Sequence, residues 1–204
     1  MENLHLIVGL GNPGSEYART RHNAGFLVVE RLAERWRAGW TGEKKFNARV
    51  ARSERAGKPV LLCEPQTYMN SSGEAVAAVA DFYRVPSARL LVVVDDADLP
   101  FGELRLRPGG SSGGHHGLES IEQFLGTREY ARQRIGIGRH DGPRQITGHV
   151  LGRFSSTEAE LMDKILTVAS DQAEAWLEAG LQKAMSQFNG AAIAQDSDNE
   201  RKDQ

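Results

Sequence analysis

The sequence predicts an α/β fold: a three-layer sandwich in which one mostly parallel sheet has helices on both faces. Short apolar segments that end in glycine or acidic residues alternate with longer segments whose apolar residues recur at helical spacing. No internal repeat or linker divides the 204 residues, and a content of 40% hydrophobic and 25% charged residues is typical of a globular domain. We therefore expect a single domain over residues 1–190, followed by a flexible polar tail over residues 191–204.

The expected elements alternate along most of the chain. Strands are expected at residues 4–9, 47–54, 59–64, 90–95, 103–107 and 134–139. Helices are expected at residues 23–36, 71–83, 118–125 and 155–179, with a short final helix that ends at residue 189. The S-x-x-E pattern from Ser155 to Glu158 is a capping box, which predicts the start of the longest helix.

Composition narrows the possible classes of protein. No apolar run approaches the ~18 residues that suggest a membrane span, and no basic segment precedes the apolar run at the N-terminus, so we expect neither a membrane helix nor a signal peptide. Cys63 is the only cysteine and lies in an apolar strand, which indicates a core residue. The net charge of −2 neither requires nor excludes a nucleic-acid partner. We expect a cytoplasmic protein.

The first loop, Gly9-Leu10-Gly11-Asn12-Pro13-Gly14, matches the G-x-G-x-x-G pattern of dinucleotide-binding proteins. The context does not fit, because Pro13 removes a backbone N–H and the helical pattern begins only about nine residues later. Within this loop, the amide of Asn12 offers both hydrogen-bond donors and an acceptor. Asn12 is therefore a candidate site residue, and the alternative is that it only stabilises the turn.

His22 and Asp95 form the candidate catalytic pair. His22 precedes a helix, whose N-terminus disfavours the imidazolium form and so favours a neutral base. Asp95 ends the most apolar strand, and in open α/β sheets the working site lies at the carboxyl ends of the strands. A carboxylate there can hold one ring nitrogen of His22 and leave the other as base. We expect no serine nucleophile on a strand-to-helix elbow, and therefore expect water to be the nucleophile.

Two further loops supply candidate binding residues. Tyr68, Met69 and Asn70 follow a strand, and the first two suit a wall that receives a base or a side chain; the alternative is that they pack under the loop. The glycine-rich segment 108–117, which contains His115 and His116, presents backbone suited to phosphate or ribose. Nearby arginines could bind phosphate or form a solvated charged face: Arg105, Arg107, Arg132, Arg134 and Arg139. The two histidines lack the pattern of a zinc site, so no metal is expected.

Taken together, these segments resemble bacterial peptidyl-tRNA hydrolases, with similarity from about residue 4 to residue 190. The resemblance is carried by the segments Ile7-Val8-Gly9-Leu10-Gly11-Asn12-Pro13-Gly14, Tyr17 with Thr20-Arg21-His22-Asn23-Ala24-Gly25, Pro65-Gln66-Thr67-Tyr68-Met69-Asn70, Asp95-Asp96-Ala97-Asp98-Leu99-Pro100, Gly113-Gly114-His115 and Arg134-Ile135-Gly136-Ile137-Gly138. It implies a single α/β domain with a twisted mixed sheet and helices on both sides.

The resemblance also implies an activity. The substrate is peptidyl-tRNA or N-blocked aminoacyl-tRNA released prematurely from ribosomes, bound at its acceptor stem and 3′ end by a monomer without cofactor or metal. His22 matches the family's catalytic base, Asp95 its carboxylate partner and Asn12 the residue that distinguishes blocked from unblocked aminoacyl groups. The positions that match or are expected to contact the tRNA are Tyr17, Tyr68, Met69, Asn70, Arg105, Arg107, His115 and His116.

One position departs from the family pattern, which usually has asparagine where this chain has His116. Histidine can donate a similar hydrogen bond, but it is bulkier and titrates. We expect a second titrating group near His22 to steepen the loss of activity on the acid side. The alternative function is that of the RNA-binding, splicing-factor-like relatives that have lost hydrolysis; retention of His22, Asp95, Asn12 and Asn70 argues against it.

Overall fold

A computed structural model of the chain describes residues 3–138 and 146–192. Its strands form one eight-stranded sheet in the order β2-β3-β4-β1-β5-β7-β6-β8. The strands are β1 (His5–Gly9), β2 (Trp40–Glu43), β3 (Ala48–Arg55), β4 (Lys58–Pro65), β5 (Leu90–Asp96), β6 (Glu103–Arg107), β7 (Ala131–Gly136) and β8 (Gly190–Ala191). The four central strands β4, β1, β5 and β7 are parallel, whereas β2, β3, β6 and β8 join through antiparallel pairs.

Helices cover both faces of this sheet. They are α1 (Ala24–Arg35), α2 (Ser72–Tyr83), α3 (His116–Leu125), α4 (Ile146–Val150), α5 (Ser156–Ala179) and α6 (Leu181–Phe188). One buried apolar cluster packs α1, α5 and α6 against the sheet, and a second packs α2 and α3 against it. The three-layer α/β prediction is therefore confirmed, and the sheet is mixed, as the family resemblance implied. None of the helices in the described part of the chain is long and apolar enough to cross a membrane.

Most expected elements are found within one to three residues of their predicted ends. The capping box is present, with the Ser155 hydroxyl accepting from the Glu158 N–H and the Glu158 carboxylate accepting from the Ser155 N–H. The strand expected at 134–139 instead occupies Ala131–Gly136. Its start was missed because Arg132 and Gln133 are polar yet buried, and Gln133 is paired with the Ala169 carbonyl oxygen and Gln172.

Other differences concern short elements. The sequence did not predict β2, α4 or β8, which have four, five and two residues. At the start of the stretch expected to be a tail, Ala191 of β8 pairs with Glu103 and Ala192 is buried. The rest of that tail, and Arg139, lie outside the described residues.

Candidate active site

A cleft of about 610 Å³ opens at the carboxyl ends of the parallel strands. Eight of the eleven site residues expected from the sequence line it: Asn12, His22, Tyr68, Met69, Asn70, Asp95, His115 and His116. Helix α1 starts at Ala24, ten residues after Gly14, so no helix N-terminus follows the first glycine motif directly. The dinucleotide-binding interpretation is therefore not supported, because the pyrophosphate site needs that helix start.

Close packing of the backbone brings His22 to Asp95. His22 lies in a short 3-10 turn, Arg21–Asn23, immediately before α1. A Cβ on Gly25 would stand only 2.3 Å from the Val93 carbonyl oxygen, so only glycine lets α1 lie this near to β5. His22 Nδ1 then lies 2.9 Å from Oδ1 of Asp95. Since Asp95 accepts the hydrogen bond that Nδ1–H donates, Nε2 is the nitrogen left to accept a proton.

A second imidazole contacts the same carboxylate oxygen. Nε2 of His115 lies 3.1 Å from Oδ1 of Asp95, and the rings of His22 and His115 are 5.2 Å apart between centroids. Nδ1 of His115 accepts the backbone N–H groups of Gly117 and Leu118 at 3.2 and 3.4 Å, where it caps α3. These backbone donors leave the proton of neutral His115 on Nε2, which donates to Asp95. The sequence had placed His115 among the substrate contacts and gave no sign of this link.

The two imidazoles determine the charge of Asp95. The side chain is buried, and burial by itself raises the pKa of a carboxyl group. The electrostatic interaction with His22 and the hydrogen bonds from both histidines outweigh burial and hold the pKa of Asp95 well below its usual range. Asp95 therefore stays ionised, which is what a carboxylate must do to keep the proton of His22 on Nδ1.

His22, Asp95 and His115 also have the spacing of metal ligands, since their donor atoms all lie within 4.8 Å of one another. The surroundings of His115 do not suit a metal. A neutral histidine that binds a metal through Nε2 carries its proton on Nδ1 and donates it to an acceptor. Nδ1 of His115 faces two N–H donors instead. The arrangement therefore fits two imidazoles that donate hydrogen bonds to one carboxylate better than it fits a metal centre.

Asn12 is fixed by two neighbours. Its side-chain oxygen accepts the N–H of Met69 at 2.8 Å, so its amide NH₂ is the group left for the cleft. The Asn23 side chain brackets the Asn12 backbone, accepting its N–H and donating to its carbonyl oxygen, both at 2.9 Å. Asn23 was not among the predicted site residues, because a contact across eleven residues leaves no local signal.

The sequence left two interpretations open for Tyr68 and Met69, a wall of the binding site or packing under the loop, and each residue follows a different one. Met69 is buried and touches the position of Gly117, so it packs under the loop. Tyr68, 64% exposed, stands at the rim of the cleft and is free to stack on a base. The side chain of His116 is 75% exposed and pairs with Glu119 at 3.1 Å. The histidine adjacent to His22 is thus His115, not His116.

The arginines also divide. Arg134 lines the cleft, with Nε 2.7 Å from Oδ2 of Asp96. Arg132 is buried and donates to the carbonyl oxygens of Ser111 and Arg128, so it supports the glycine-rich loop and is not available to phosphate. Three predicted contacts are not among the residues that line the cleft: Tyr17, Arg105, which pairs with Glu103, and Arg107.

An imidazole beside an ionised carboxylate, with an amide donor in the same cleft, is the arrangement expected of a hydrolase that activates water. Within the described residues, the hydrogen-bond partner found for His22 is Asp95. Ser112 also lines the cleft, but its hydroxyl oxygen accepts a hydrogen bond from the Gly114 N–H.

Comparison with known proteins identifies the family. The family model for peptidyl-tRNA hydrolase matches residues 6–197. The peptidyl-tRNA hydrolase of Gloeobacter violaceus is 47% identical over 195 residues, covering 96% of this chain and 98% of that protein. That of Geobacillus kaustophilus is 45% identical over 186 residues, covering 91% and 100%. The crystal structure of peptidyl-tRNA hydrolase from Acinetobacter baumannii has a TM-score of 0.87 at 41% identity, covering 93% of this chain and 96% of that one. The chain belongs to the peptidyl-tRNA hydrolase family, whose members are carboxylic ester hydrolases.

Proposed function

We propose that this chain hydrolyses the ester bond between a peptide, or an N-blocked aminoacyl group, and the 3′-terminal ribose of tRNA, and so recycles peptidyl-tRNA released prematurely from ribosomes. The observation that carries the proposal is the pair of His22 and Asp95 in the cleft of a chain that belongs to this family. No observation favours the alternative of an RNA-binding relative without hydrolysis.

The reaction begins with His22. Its Nε2 removes a proton from a water molecule while the oxygen of that water attacks the ester carbonyl carbon. Negative charge builds up on the carbonyl oxygen, and the amide NH₂ of Asn12 or of Asn70 donates a hydrogen bond to it. The carbon–oxygen bond to the ribose then breaks, and the leaving 3′-oxygen takes the proton from His22. Asp95 remains ionised throughout and stabilises the imidazolium that forms.

Asn12 also explains a preference for blocked substrates. Because Met69 occupies its oxygen, Asn12 presents only donors to the cleft. The amide carbonyl of a blocked aminoacyl group can accept from these donors. The ammonium of a free aminoacyl group also has only donors. It would face the amide NH₂ of Asn12 with no acceptor between them, so neither group would have a hydrogen-bond partner.

The tRNA contacts are proposed from the rim of the cleft. Tyr68 can stack on a base of the unpaired 3′ end, and Arg134 can bind a phosphate. Contacts of this kind read the backbone and the 3′ end, which suits a monomer that acts on many tRNAs in the cytoplasm.

Apparent substrate affinity should fall as salt concentration rises, because binding to phosphates releases counterions.

The deciding experiment compares N-acetyl-aminoacyl-tRNA with free aminoacyl-tRNA by following deacylation of each. Cleavage of the first and sparing of the second supports the proposal, whereas binding without cleavage supports the RNA-binding alternative.

In the same assay His22→Ala should lower turnover by roughly 10²–10⁴, the usual contribution of a general base, while its circular dichroism spectrum stays native. A folded variant with turnover near wild type would remove His22 from the mechanism.

A further inference from the structure

One side of the cleft is built by a short segment that follows the undescribed stretch 139–145. We define residues 146–155 as the wall segment; it contains α4 and contributes Val150 and Leu151 to the cleft. Two apolar side chains suit the acyl part of a substrate better than its phosphates or ribose. We propose that Arg21 is a positioning residue that holds the wall segment against the catalytic turn and so sets how tightly the site binds the acyl group.

The side chain of Arg21 makes the connection. It is buried beneath the wall segment, and its Nη1 donates to the Arg153 carbonyl oxygen at 2.9 Å and to the His149 carbonyl oxygen at 3.5 Å. Its Nη2 donates to the Glu158 carboxylate at 2.7 Å. The guanidinium also lies over the ring of Phe154, 5.4 Å from its centroid. One side chain thus holds both the wall segment and the first turn of α5.

The backbone reinforces this attachment. The Arg21 N–H donates to the Gly152 carbonyl oxygen at 3.0 Å, and Thr20 forms an isolated β-bridge with Arg153. A Cβ on Gly152 would stand 3.0 Å from Nη1 of Arg21, so the chain passes unusually close to the guanidinium. Because the next residue is His22, the wall segment and the catalytic base are fixed by adjacent positions of one short turn.

The partner carboxylate is itself well supported. Glu158 accepts the Ser155 N–H at 2.7 Å as part of the capping box. Burial tends to raise the pKa of Glu158, but the hydrogen bonds from Arg21 and Ser155 prevail and lower it to about 2. Glu158 is therefore ionised at neutral pH, as an ion pair with Arg21 requires.

The consequence for catalysis is specific. Removing the guanidinium leaves His22 Nδ1 on Asp95 and Asn12 on Met69, because neither bond involves Arg21. The substitution instead removes the contacts that hold Val150 and Leu151 in position along the cleft. Binding energy from the acyl group should fall, and it should fall more for a large apolar acyl group than for a small one.

The test uses Arg21→Met, which keeps the length of the side chain and removes its charge and donors. The matched control is Arg35→Met. Arg35 lies on α1 and pairs with Asp171 and Glu174 of the same helix α5, but away from the wall segment. Two substrates are compared for each variant, N-acetyl-leucyl-tRNA and N-acetyl-glycyl-tRNA, and kcat and KM are measured separately.

We expect Arg21→Met to raise KM roughly five- to tenfold for the leucyl substrate and about twofold for the glycyl one, with kcat changed less than about threefold. Arg21→Lys should recover part of the loss, since an ammonium can reach Glu158 but cannot serve several acceptors in fixed geometry. Equal effects on both substrates, a loss confined to kcat, or the same change in Arg35→Met would overturn the proposal.

This inference rests on the proposed function, and a second measurement separates the two. Hydrogen exchange of the backbone amides of residues 148–155 does not depend on the substrate. Arg21→Met should accelerate their exchange by about tenfold or more, and Arg35→Met should not. If exchange accelerates but no variant cleaves any tRNA ester, the positioning role stands and the proposed function fails. Unchanged exchange would refute the positioning role whatever the activity.

Discussion

Two buried carboxylates stand near the carboxyl ends of β4 and β5, on either side of β1, and their pKa values shift in opposite directions. Asp95 has its pKa held well below the usual range, whereas the pKa of Glu64 is raised to about 8. Both side chains are almost fully buried, at 3% and 0% exposure, so burial alone does not account for the difference.

The partners account for it. Two imidazoles donate to one oxygen of Asp95. Among the described residues, the cation paired with Glu64 is Arg49 at 2.9 Å, whose side chain is 40% exposed. Glu30 repels the charge of Glu64, and Oε1 of Glu64 is buried with no hydrogen-bond partner in the described part of the chain. Burial therefore dominates at Glu64 and raises its pKa. A carboxyl group that is buried as completely as Asp95 stays ionised at neutral pH because converging donors offset the effect of burial.

The largest effect on activity is expected at Asp95, and the comparison with Glu64 tests whether only one of the two buried carboxylates is needed for the reaction. Asp95→Asn removes the charge that holds the proton of His22 on Nδ1, and kcat/KM should fall by roughly 10²–10⁴. Glu64→Gln is the matched control, another buried carboxyl changed to its amide, and should keep kcat/KM within about threefold. The assay is deacylation of N-acetyl-aminoacyl-tRNA near pH 7. A comparable loss in both variants would show that the two sites are not functionally distinct.

The next effect is on stability, and its sign follows from the pKa of Glu64. In the folded chain this pKa is about 8, above the ordinary value of 4.5. Between these two pH values the carboxyl group of Glu64 is therefore protonated in the folded chain and ionised in the unfolded chain. The stability that Glu64 contributes is complete below about pH 4.5 and declines as pH rises towards 8. Relative to Glu64→Gln, the wild-type free energy of unfolding should drop on the order of a few kcal/mol across that window.

Urea unfolding of both proteins at pH 5 and pH 8 measures that difference. Asp95 should behave in the opposite way, because its pKa is depressed: its contribution is present above its ordinary value of 3.8 and is lost only as pH falls below it. A gap between wild type and Glu64→Gln that does not change with pH would mean that Glu64 is ionised in the folded chain at both values.

A smaller effect is expected at the second imidazole. His115→Asn removes the donor to Asp95 but keeps a side chain that can cap α3. We expect kcat/KM to fall about three- to tenfold, since His22 still holds Asp95, and the melting temperature to change little. If activity is unchanged, one imidazole suffices for Asp95 and the contrast with Glu64 rests on His22 alone.

The smallest effect is expected at His116. Its side chain is mostly in solvent and contacts Glu119, so water screens electrostatic interaction between this position and His22. His116→Asn should therefore change kcat/KM by less than about twofold and leave the pH–rate curve unaltered in shape. A shallower acid limb in His116→Asn would instead support the coupling between His116 and His22 that the sequence suggested.

The sequence predicted the fold class and the proximity of His22 and Asp95 for the same reason. Helical and strand periodicity is local, and the end of an apolar strand and the start of a helix are where α/β folds place chemistry. Asp95 and His22 occupy those two positions. Tyr68 and Asn12 follow strands in the same way, and the structure places both in the cleft.

The rest depends on contacts between distant segments. Arg21 meets its partners 128 to 137 residues away, and His115 reaches Asp95 from a separate loop. No periodic pattern encodes such pairs. Polarity also misled the interpretation of Arg132, which looked like a phosphate ligand and is instead buried by its bonds to loop carbonyl oxygens. Short elements such as β2 and α4 are too brief to show a period.

Gly25 makes the protein vulnerable at a position that carries no reactive atom. A methyl group there would meet the Val93 carbonyl oxygen at 2.3 Å and the Leu10 nitrogen at 2.4 Å, both of them backbone atoms that cannot rotate away. Gly25→Ala must push α1 outward, and His22 moves with it because the catalytic turn leads directly into this helix. A survey of inactivating mutations should therefore rank this residue with His22 and Asp95. The proposed chemistry depends as much on the absence of a side chain at residue 25 as on the imidazole that would transfer the proton.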